Sequence, residues 1–474
     1  MIDNKIYIAG EFVSTKQKLE VLNPYNNSVV GITYIAGKKE LEQAIERAVL
    51  VKKEMRDLAS YKKYRVLMEI ALGVKSKKEE LALILAKEAG KPLKYALGEI
   101  DRAIQVFIIA AEECKRLPKE YFSLDWTPAG ENKEAFVKHF PIGLIAGIAP
   151  FNFPLNLAVH KIAPAIAAGN PIILKPARST PLTVLELAKI IDKTDLPKGA
   201  LSVLTMDRNA GNQLVTDERI SMLSFTGSPA VGWKMKSNAG KKKVALELGG
   251  NAGVVVTDTA DIELSVKKCV VGSFAYSGQV CIHVQRIYVH ENVFDVFIDK
   301  FIEETKKLKI GLPEDINTDI SSMIDEENAI RVEQWVSEAV LEGAKVLFGG
   351  NRKGTYFEPT ILTNTKHGMK VCALEVFGPV VTIEKYSDYN NAIVDVNNSE
   401  FGLQAGVFTN NIKEMNQAFN ELEVGGVIIN DVPTFRVDHM PYGGVKNSGF
   451  GREGIKYSIH EMMEPKLIVK NTNY

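Results

Sequence analysis

An α/β fold with parallel sheet is what this sequence predicts, and three observations carry the prediction. From Leu144 onward, short apolar runs alternate with helical patterns, and such alternation places helices on the faces of a parallel sheet. Ahead of that region, from Lys39 to about Leu117, apolar residues recur at helical spacing. The chain has 474 residues and 46% hydrophobic content, enough to bury a large core and to divide into about three domains of ~150 residues each.

In chain order, Lys5 to Leu22 alternates apolar and polar residues and is punctuated by Gly10 and by Asn23-Pro24, which predicts a β-hairpin and then a turn. Four amphipathic helices follow, marked by Leu41, Ala44, Ile45, Ala48 and Val51, by Val66, Leu67, Ile70 and Val74, by Leu81, Ile84 and Leu85, and by Ile100, Ile104 and Phe107. Their charged faces are expected to be solvated, with Arg102 paired to Glu99 or Asp101 at the surface. Tyr121 to His139 mixes Pro, Gly and charged residues with strand-like pieces and reads as an exposed ribbon. The α/β alternation then runs through a strand at Leu144 to Ile148, a helix at Leu155 to Ala168, a strand at Pro171 to Leu174, a helix at Pro181 to Ile191 and a strand at Ser221 to Phe225. It resumes with a strand at Gln285 to Val289 and a helix at Val293 to Leu308. In such a fold, ligands sit at the carboxyl ends of the parallel strands.

Composition excludes several function classes. Lys+Arg 58 balances Asp+Glu 58, so no basic footprint points to nucleic acid or to an anionic membrane. No apolar run approaches the ~20 residues a membrane span needs, and the opening MIDNKIYIAGEF alternates like a strand, without a signal-peptide layout. A cytoplasmic protein is expected. Cys114, Cys269, Cys281 and Cys372 show no CxxC spacing, which fits a reducing compartment and no metal site.

Three stretches carry chemistry. GSFAYSGQVCI, Gly272 to Ile282, carries Cys281 as its last polar reactive residue, with the small residues Ser277 and Gly278 in front of a thiol that reacts only as thiolate. A lone cysteine is more often a packing residue. Here VALELGGN supplies Glu247 and APFNFPL supplies Asn152, and a thiol, a carboxylate and a carboxamide together make nucleophile, general base and oxyanion donor. The turn FTGSPAVG places Gly227 where a strand ends and Ser228 near a helix N-terminus, a position suited to phosphate.

These motifs, with EVFGP and PYGGVKNSGFGREG further on, resemble the NAD(P)-dependent aldehyde dehydrogenase superfamily along nearly the whole chain. The resemblance implies a Rossmann-type cofactor domain formed by residues 1–118 and 141–247, an α/β catalytic domain at 248–450, and a β oligomerisation arm at 119–140 paired with a C-terminal segment at 451–474. It implies a homodimer or homotetramer acting on a small-molecule aldehyde, with no nucleic-acid or membrane partner. Cofactor contacts carried over are Ala149 and Phe151, Lys175 for the adenosine ribose, Gly227 and Ser228, Glu375 for the nicotinamide ribose, and Phe377 against the ring. Relatives strict for NAD carry Glu where Arg178 stands here, so the resemblance implies that NADP is at least tolerated beside NAD. Lys161 and Glu453 resemble a pair that relays a proton away from the base, or else form a structural salt bridge. For substrate, Arg102, Phe153, His283 and Arg436 are the candidates, and SGQVCI with FRVDHMPYGG resembles the branch acting on lactaldehyde, phosphonoacetaldehyde and glyceraldehyde 3-phosphate. Hydrolysis of a Cys281 thioester by water that Glu247 activates is the implied outcome. A coenzyme A-acylating semialdehyde dehydrogenase is the enzymatic alternative, disfavoured by the presence of Glu247, and a noncatalytic protein on the same fold is the other.

Overall fold

This computed structural model describes residues 2–472. Among them a first sheet has eight strands, ordered Gly449–Phe450, Lys243–Glu247, Ile220–Thr226, Leu144–Ile148, Ile172–Lys175, Leu201–Val203, Ile6–Ile8 and Glu11–Val13. The five central strands are parallel, and the short strand at one edge and the hairpin at the other are antiparallel. Both faces are covered, because successive residues of a strand point to opposite sides. Ile145, Ile172 and Leu174 enter one core with Leu155, Val159 and Ile162. Leu144, Ala146 and Ile173 enter another with Leu41, Ala44 and Leu214. The earliest parallel strand, Leu144–Ile148, has Ile172–Lys175 on one side and the later Ile220–Thr226 on the other. Strand order reverses at that point, which opens a crevice beyond the two carboxyl ends.

A second sheet has seven strands, ordered Lys345–Phe348, Thr360–Thr363, Val380–Tyr386, Val284–His290, Ala252–Val256, Gln404–Phe408 and Gly426–Ile429. All are parallel except Lys345–Phe348. A separate three-stranded ribbon joins Lys119–Ser123 and Lys133–Pro141 to Met463–Asn471, with Lys466 opposite Lys138. No described helix is long and apolar enough to cross a membrane.

The four helices of the first region are Lys38–Asp57, Ser60–Ser76, Lys78–Ala89 and Leu93–Glu113. Two features differ from the sequence reading. Lys18–Leu22 does not extend the first hairpin but pairs with Val29–Tyr34, because the chain reverses at residues 23–28, where Asn23 binds the Tyr25 amide and Asn27 takes positive φ. The charged residues of this helical region are also not all solvated: Lys63, Glu88 and Glu99 on the helices and Lys91 between two of them are buried. Glu88 accepts from the amides of Leu182 and Thr183, capping the helix Leu182–Ile191 from a distance.

Candidate active site

The loops at the sheet reversal open into a cavity of about 420 Å³. Pro150, Phe151 and Asn152 follow the strand Leu144–Ile148, Gly227 and Ser228 follow Ile220–Thr226, and Glu247 ends Lys243–Glu247, so three carboxyl ends of the first sheet line it. The second sheet contributes from the opposite polarity. Cys281 lies just ahead of Val284–His290, and Glu375 and Phe377 lie just ahead of Val380–Tyr386. Arg436 and Tyr442, from a long loop late in the chain, complete the wall.

Two close approaches let these loops meet. A Cβ on Gly278 would collide with the carbonyl oxygen of Gly378, and one on Gly250 with the carbonyl oxygen of Cys281. Only glycine fits at either position. Tyr276 and Ser277 hold φ of 51° and 53°, two consecutive left-handed residues ahead of the thiol. Such a conformation costs on the order of 1–2 kcal/mol per residue and persists only where its surroundings enforce it.

Cys281 is partly buried, with Sγ 3.2 Å from the Tyr442 hydroxyl. Burial pushes its thiol up to about 11, the Tyr442 bond opposing and Glu375 adding to the shift. The Asn152 carboxamide, buried beside it, donates to the carbonyl of Gln279 at 3.0 Å. Glu247 is buried, and its Oε2 has no partner. Burial first, and the neighbouring Glu453 charge second, hold its carboxyl well above the usual carboxylate range. Glu453 is as deeply buried yet stays ionised, since Lys161 at 3.2 Å and Arg436 at 3.2 Å outweigh its desolvation. Lys161 also donates to Thr226 and Ser224. Two neighbouring carboxyls are thereby shifted in opposite directions, the arrangement that separates acid from base roles.

Arg436 is 7% exposed, its guanidinium 3.5 Å over the Tyr442 ring, with Nε unpartnered. Glu375 accepts from the Gly250 amide at 2.9 Å, and burial raises it to about 7. The Phe377 ring meets Phe151 edge-on at 5.9 Å. Ser228 occupies the N-cap position of the helix Pro229–Asn238, but its side chain makes no capping hydrogen bond. Lys175 ends its strand with its ammonium partly buried, and burial together with the nearby Arg178 charge lowers it. Arg178 itself is exposed and forms no ion pair among the described residues.

Not every residue named from sequence lines the cavity. His283 is buried, its Nε2 3.3 Å from the Val380 carbonyl, and burial lowers it to about 4; the structure makes it a packing residue, not a substrate contact. Arg102 pairs with neither Glu99 nor Asp101 but with Asp438, at 2.6 Å. Asp438 in turn accepts from His160 Nε2 at 2.8 Å; burial alone would raise this carboxyl, and the hydrogen bonds from His160 and from the Arg102 guanidinium hold it below the usual range. Ala149, Phe153, Lys161 and Glu453 are not part of the lining. Tyr442, Asn328, Arg331 and Trp335 line it and were not singled out from sequence. Tyr442 sits inside the quoted PYGG motif, whereas the other three, on the helix Glu326–Leu341, carried no local signal. No cluster of three or more His, Cys, Asp or Glu suited to a metal occurs among the described residues.

A two-sheet α/β frame with a thiol, two opposed carboxyls and a carboxamide at its crevice is the framework of a dehydrogenase acting on a carbonyl. Residues 12–468 match the aldehyde dehydrogenase family, and the chain belongs to it as an oxidoreductase. It is 47% identical to 3-sulfolactaldehyde dehydrogenase of Priestia megaterium over 467 residues, 98% of each chain. Among solved structures, it is similar to aldehyde dehydrogenase 21 of Physcomitrella patens in complex with the reaction product succinate, at TM-score 0.98 and 43% identity, covering 99% of this chain and 98% of that one. It is also similar to glyceraldehyde-3-phosphate dehydrogenase GapN of Methanocaldococcus jannaschii complexed with NADP, at TM-score 0.93 and 41% identity, covering 96% of this chain and 100% of that one.

Proposed function

We propose that this protein oxidises a small, anionic aldehyde to its carboxylic acid, with NADP or NAD as hydride acceptor and Cys281 as nucleophile. The observation that carries the reading is the orphaned Nε of Arg436, a buried cation facing the same cavity as Cys281, Asn152 and Glu247. A buried guanidinium with a spare donor favours a carboxylate, sulfonate or phosphate tail. Among the relatives' names, 3-sulfolactaldehyde and glyceraldehyde 3-phosphate are small anionic aldehydes and the reaction product succinate is an anion, whereas the lactaldehyde of other relatives, 40–42% identical, is small, polar and neutral.

The residues also fit a dinucleotide. Gly227 and Ser228 present an uncapped helix start to a pyrophosphate, Glu375 suits ribose hydroxyls, and Phe151 and Phe377 bound a flat ring. Lys175 and Arg178 place two cations at one strand end, so a 2′-phosphate meets attraction rather than the repulsion of a carboxylate. NAD(P)⁺, when bound, supplies the hydride acceptor and a positive charge near the thiol.

The chain's own groups then act in sequence. Cys281 loses its proton and its sulfur bonds the aldehyde carbon, giving a thiohemiacetal oxyanion that Asn152 and the Cys281 amide stabilise. Collapse of the oxyanion expels hydride and leaves a Cys281 thioester. Glu247, once deprotonated, takes a proton from water, the hydroxyl adds to the thioester, and the acid leaves as the thiolate returns. Lys161 and Glu453 hold the negative charge beside Glu247 and give its proton a way out. We assign the first sheet to the cofactor, the second to the nucleophile, and the ribbon to self-association into a dimer or tetramer.

The test is steady-state oxidation of a panel of sulfonate, phosphate, carboxylate and neutral aldehydes of similar length, with NADP and NAD side by side and without coenzyme A. Turnover confined to anionic members and lost in Cys281→Ala supports the reading. Equal turnover of neutral aldehydes, or a requirement for coenzyme A, overturns it.

A further inference from the structure

Two buried charges outside the cavity have no role in the proposed chemistry, yet they contact the two segments that carry the halves of its oxyanion hole. Lys91 and Glu99 form an ion pair, each with a side chain 0% exposed. They come from the corner where the helix Lys78–Ala89 passes into Leu93–Glu113.

Glu99 reaches across to the helix that starts at Pro154. Its Oε1 accepts from the amides of Leu155 and Asn156, both at 3.0 Å, while Oε2 takes the Lys91 ammonium. That helix start has no side-chain cap of its own, and a carboxylate at its first turn satisfies orphan donors and meets the positive end of the helix dipole. Asn152 and Phe153 are the residues immediately before it. Lys91 faces two aromatic rings, with Nζ 3.8 Å from the Phe153 centroid and 4.4 Å from that of Tyr276. Tyr276 is the first of the two left-handed residues leading to Cys281, and its hydroxyl donates to the carbonyl of Ala89 at 2.9 Å. The same corner therefore grips the turn carrying Asn152 and the strained loop carrying Cys281.

Burying an ion pair is rarely a net gain in stability, because desolvation offsets the attraction. What this pair does supply is a buried tie behind two loops that otherwise meet through the Asn152–Gln279 hydrogen bond and the Phe153–Tyr276 edge contact. We infer that Lys91 and Glu99 are positioning residues for oxyanion stabilisation, bracing Asn152 against the Cys281 backbone amide through Phe153 and Tyr276. The inference rests on the proposed roles of Cys281 and Asn152. Neither Lys91 nor Glu99 lines the cavity, so substrate and cofactor do not touch them.

The test is the double variant Lys91→Met with Glu99→Gln, which removes both buried charges together and keeps a carbonyl oxygen for the two helix amides. The inference predicts a folded protein with unchanged cofactor Kd and KM, and a first-turnover hydride-transfer rate reduced about 10- to 100-fold, the scale of an ångström-sized misplacement. A folded double variant whose rate stays within about twofold of the parent overturns it. Tyr276→Phe removes only the hydroxyl anchor on Ala89 and reads the same brace without disturbing a charge. A rate loss of about threefold or more at unchanged KM supports the inference even where the double variant does not fold, and a wild-type rate overturns it. Cys281→Ala, run alongside, separates the two readings. Full activity there defeats the proposed nucleophile itself, whereas a dead Cys281→Ala beside a fully active double variant defeats only the brace.

Discussion

The cavity and the Lys91–Glu99 corner are both buried and both rich in charge, yet they treat polar atoms in opposite ways. At the corner, both Glu99 oxygens and the Lys91 ammonium have partners. In the cavity, Glu247 Oε2 and Arg436 Nε have none, although each belongs to a deeply buried side chain. An unmet buried polar group costs on the order of 1–3 kcal/mol, which a fold keeps only where something else recovers it. The difference separates architecture from function at these two places: the saturated Lys91–Glu99 pair holds the frame, while Glu247 Oε2 and Arg436 Nε stay without partners on residues that line the cavity.

Breaking the cavity side should give the largest effect. Cys281→Ala is expected to lower kcat by about 10⁴-fold or more while cofactor binding, followed by fluorescence titration, persists. Asn152→Ala should lower it by about 10²–10³-fold with little change in KM, measured in the same assay. Arg436→Met should reduce kcat/KM for an anionic aldehyde by about 10- to 100-fold and for a neutral analogue of equal length far less, which sharpens the link between the orphaned Nε and the charged tail.

Proton equilibria divide the two kinds of site more finely. With the Cys281 thiol pushed up to about 11, thiolate is scarce at neutral pH in the free protein, so alkylation of Cys281 by iodoacetamide should accelerate continuously from pH 7 towards pH 11 and be faster at pH 7 once cofactor is added. Glu247 gives the smallest effect. Its carboxyl is raised in the fold, so it contributes stability below the unfolded carboxylate range and loses it as pH climbs through the raised value. Glu247→Gln should therefore raise Tm by a few degrees at neutral pH and leave it unchanged near pH 4. Asp438, held below its usual range by Arg102 and His160, carries the opposite sign. Asp438→Asn should lower Tm at neutral pH, with the deficit closing as pH falls below the unfolded carboxylate range. Thermal scans at three pH values check both.

The frame was legible because its signals are local. The strands and helices between Leu144 and Ile191 follow from alternating apolar runs, and the observed Leu144–Ile148 and Leu182–Ile191 lie within a residue of those expected. Cys281, Glu247 and Asn152 were legible because small residues and prolines mark their turns. The pairings were not. Arg102 has near neighbours of opposite charge in Glu99 and Asp101, but Glu99 is taken by Lys91 and Asp101 by Lys78, so it reaches Asp438 instead. Nothing within one helix reports such competition. Glu99 did leave a trace, since with Ala96, Ile100 and Ala103 it falls on the buried stripe of its helix. A carboxylate placed on an apolar stripe is a sequence sign of a distant partner, and Glu88 beside Leu81, Ile84 and Leu85 shows the same sign. His283, a substrate candidate from sequence, lies just ahead of the strand Val284–His290, buried and bonded to the Val380 carbonyl rather than on the cavity wall.

The late loop that walls the cavity also sets an order of assembly. Asp438 lies 336 positions from Arg102, and Glu453 lies 292 from Lys161, whereas the parallel ladder of Leu144–Ile148 with Ile172–Lys175 closes over a far shorter span. Long closures are slow, so the central parallel strands of both sheets can form before residues 436–453 dock and add the edge strand Gly449–Phe450. A refolding chain is thus predicted to pass through a species with native secondary structure, a free Cys281 thiol and no Arg436 or Tyr442 beside it. Circular dichroism should recover ahead of dehydrogenase activity, and simultaneous recovery of the two would show that the wall closes together with the sheets it joins.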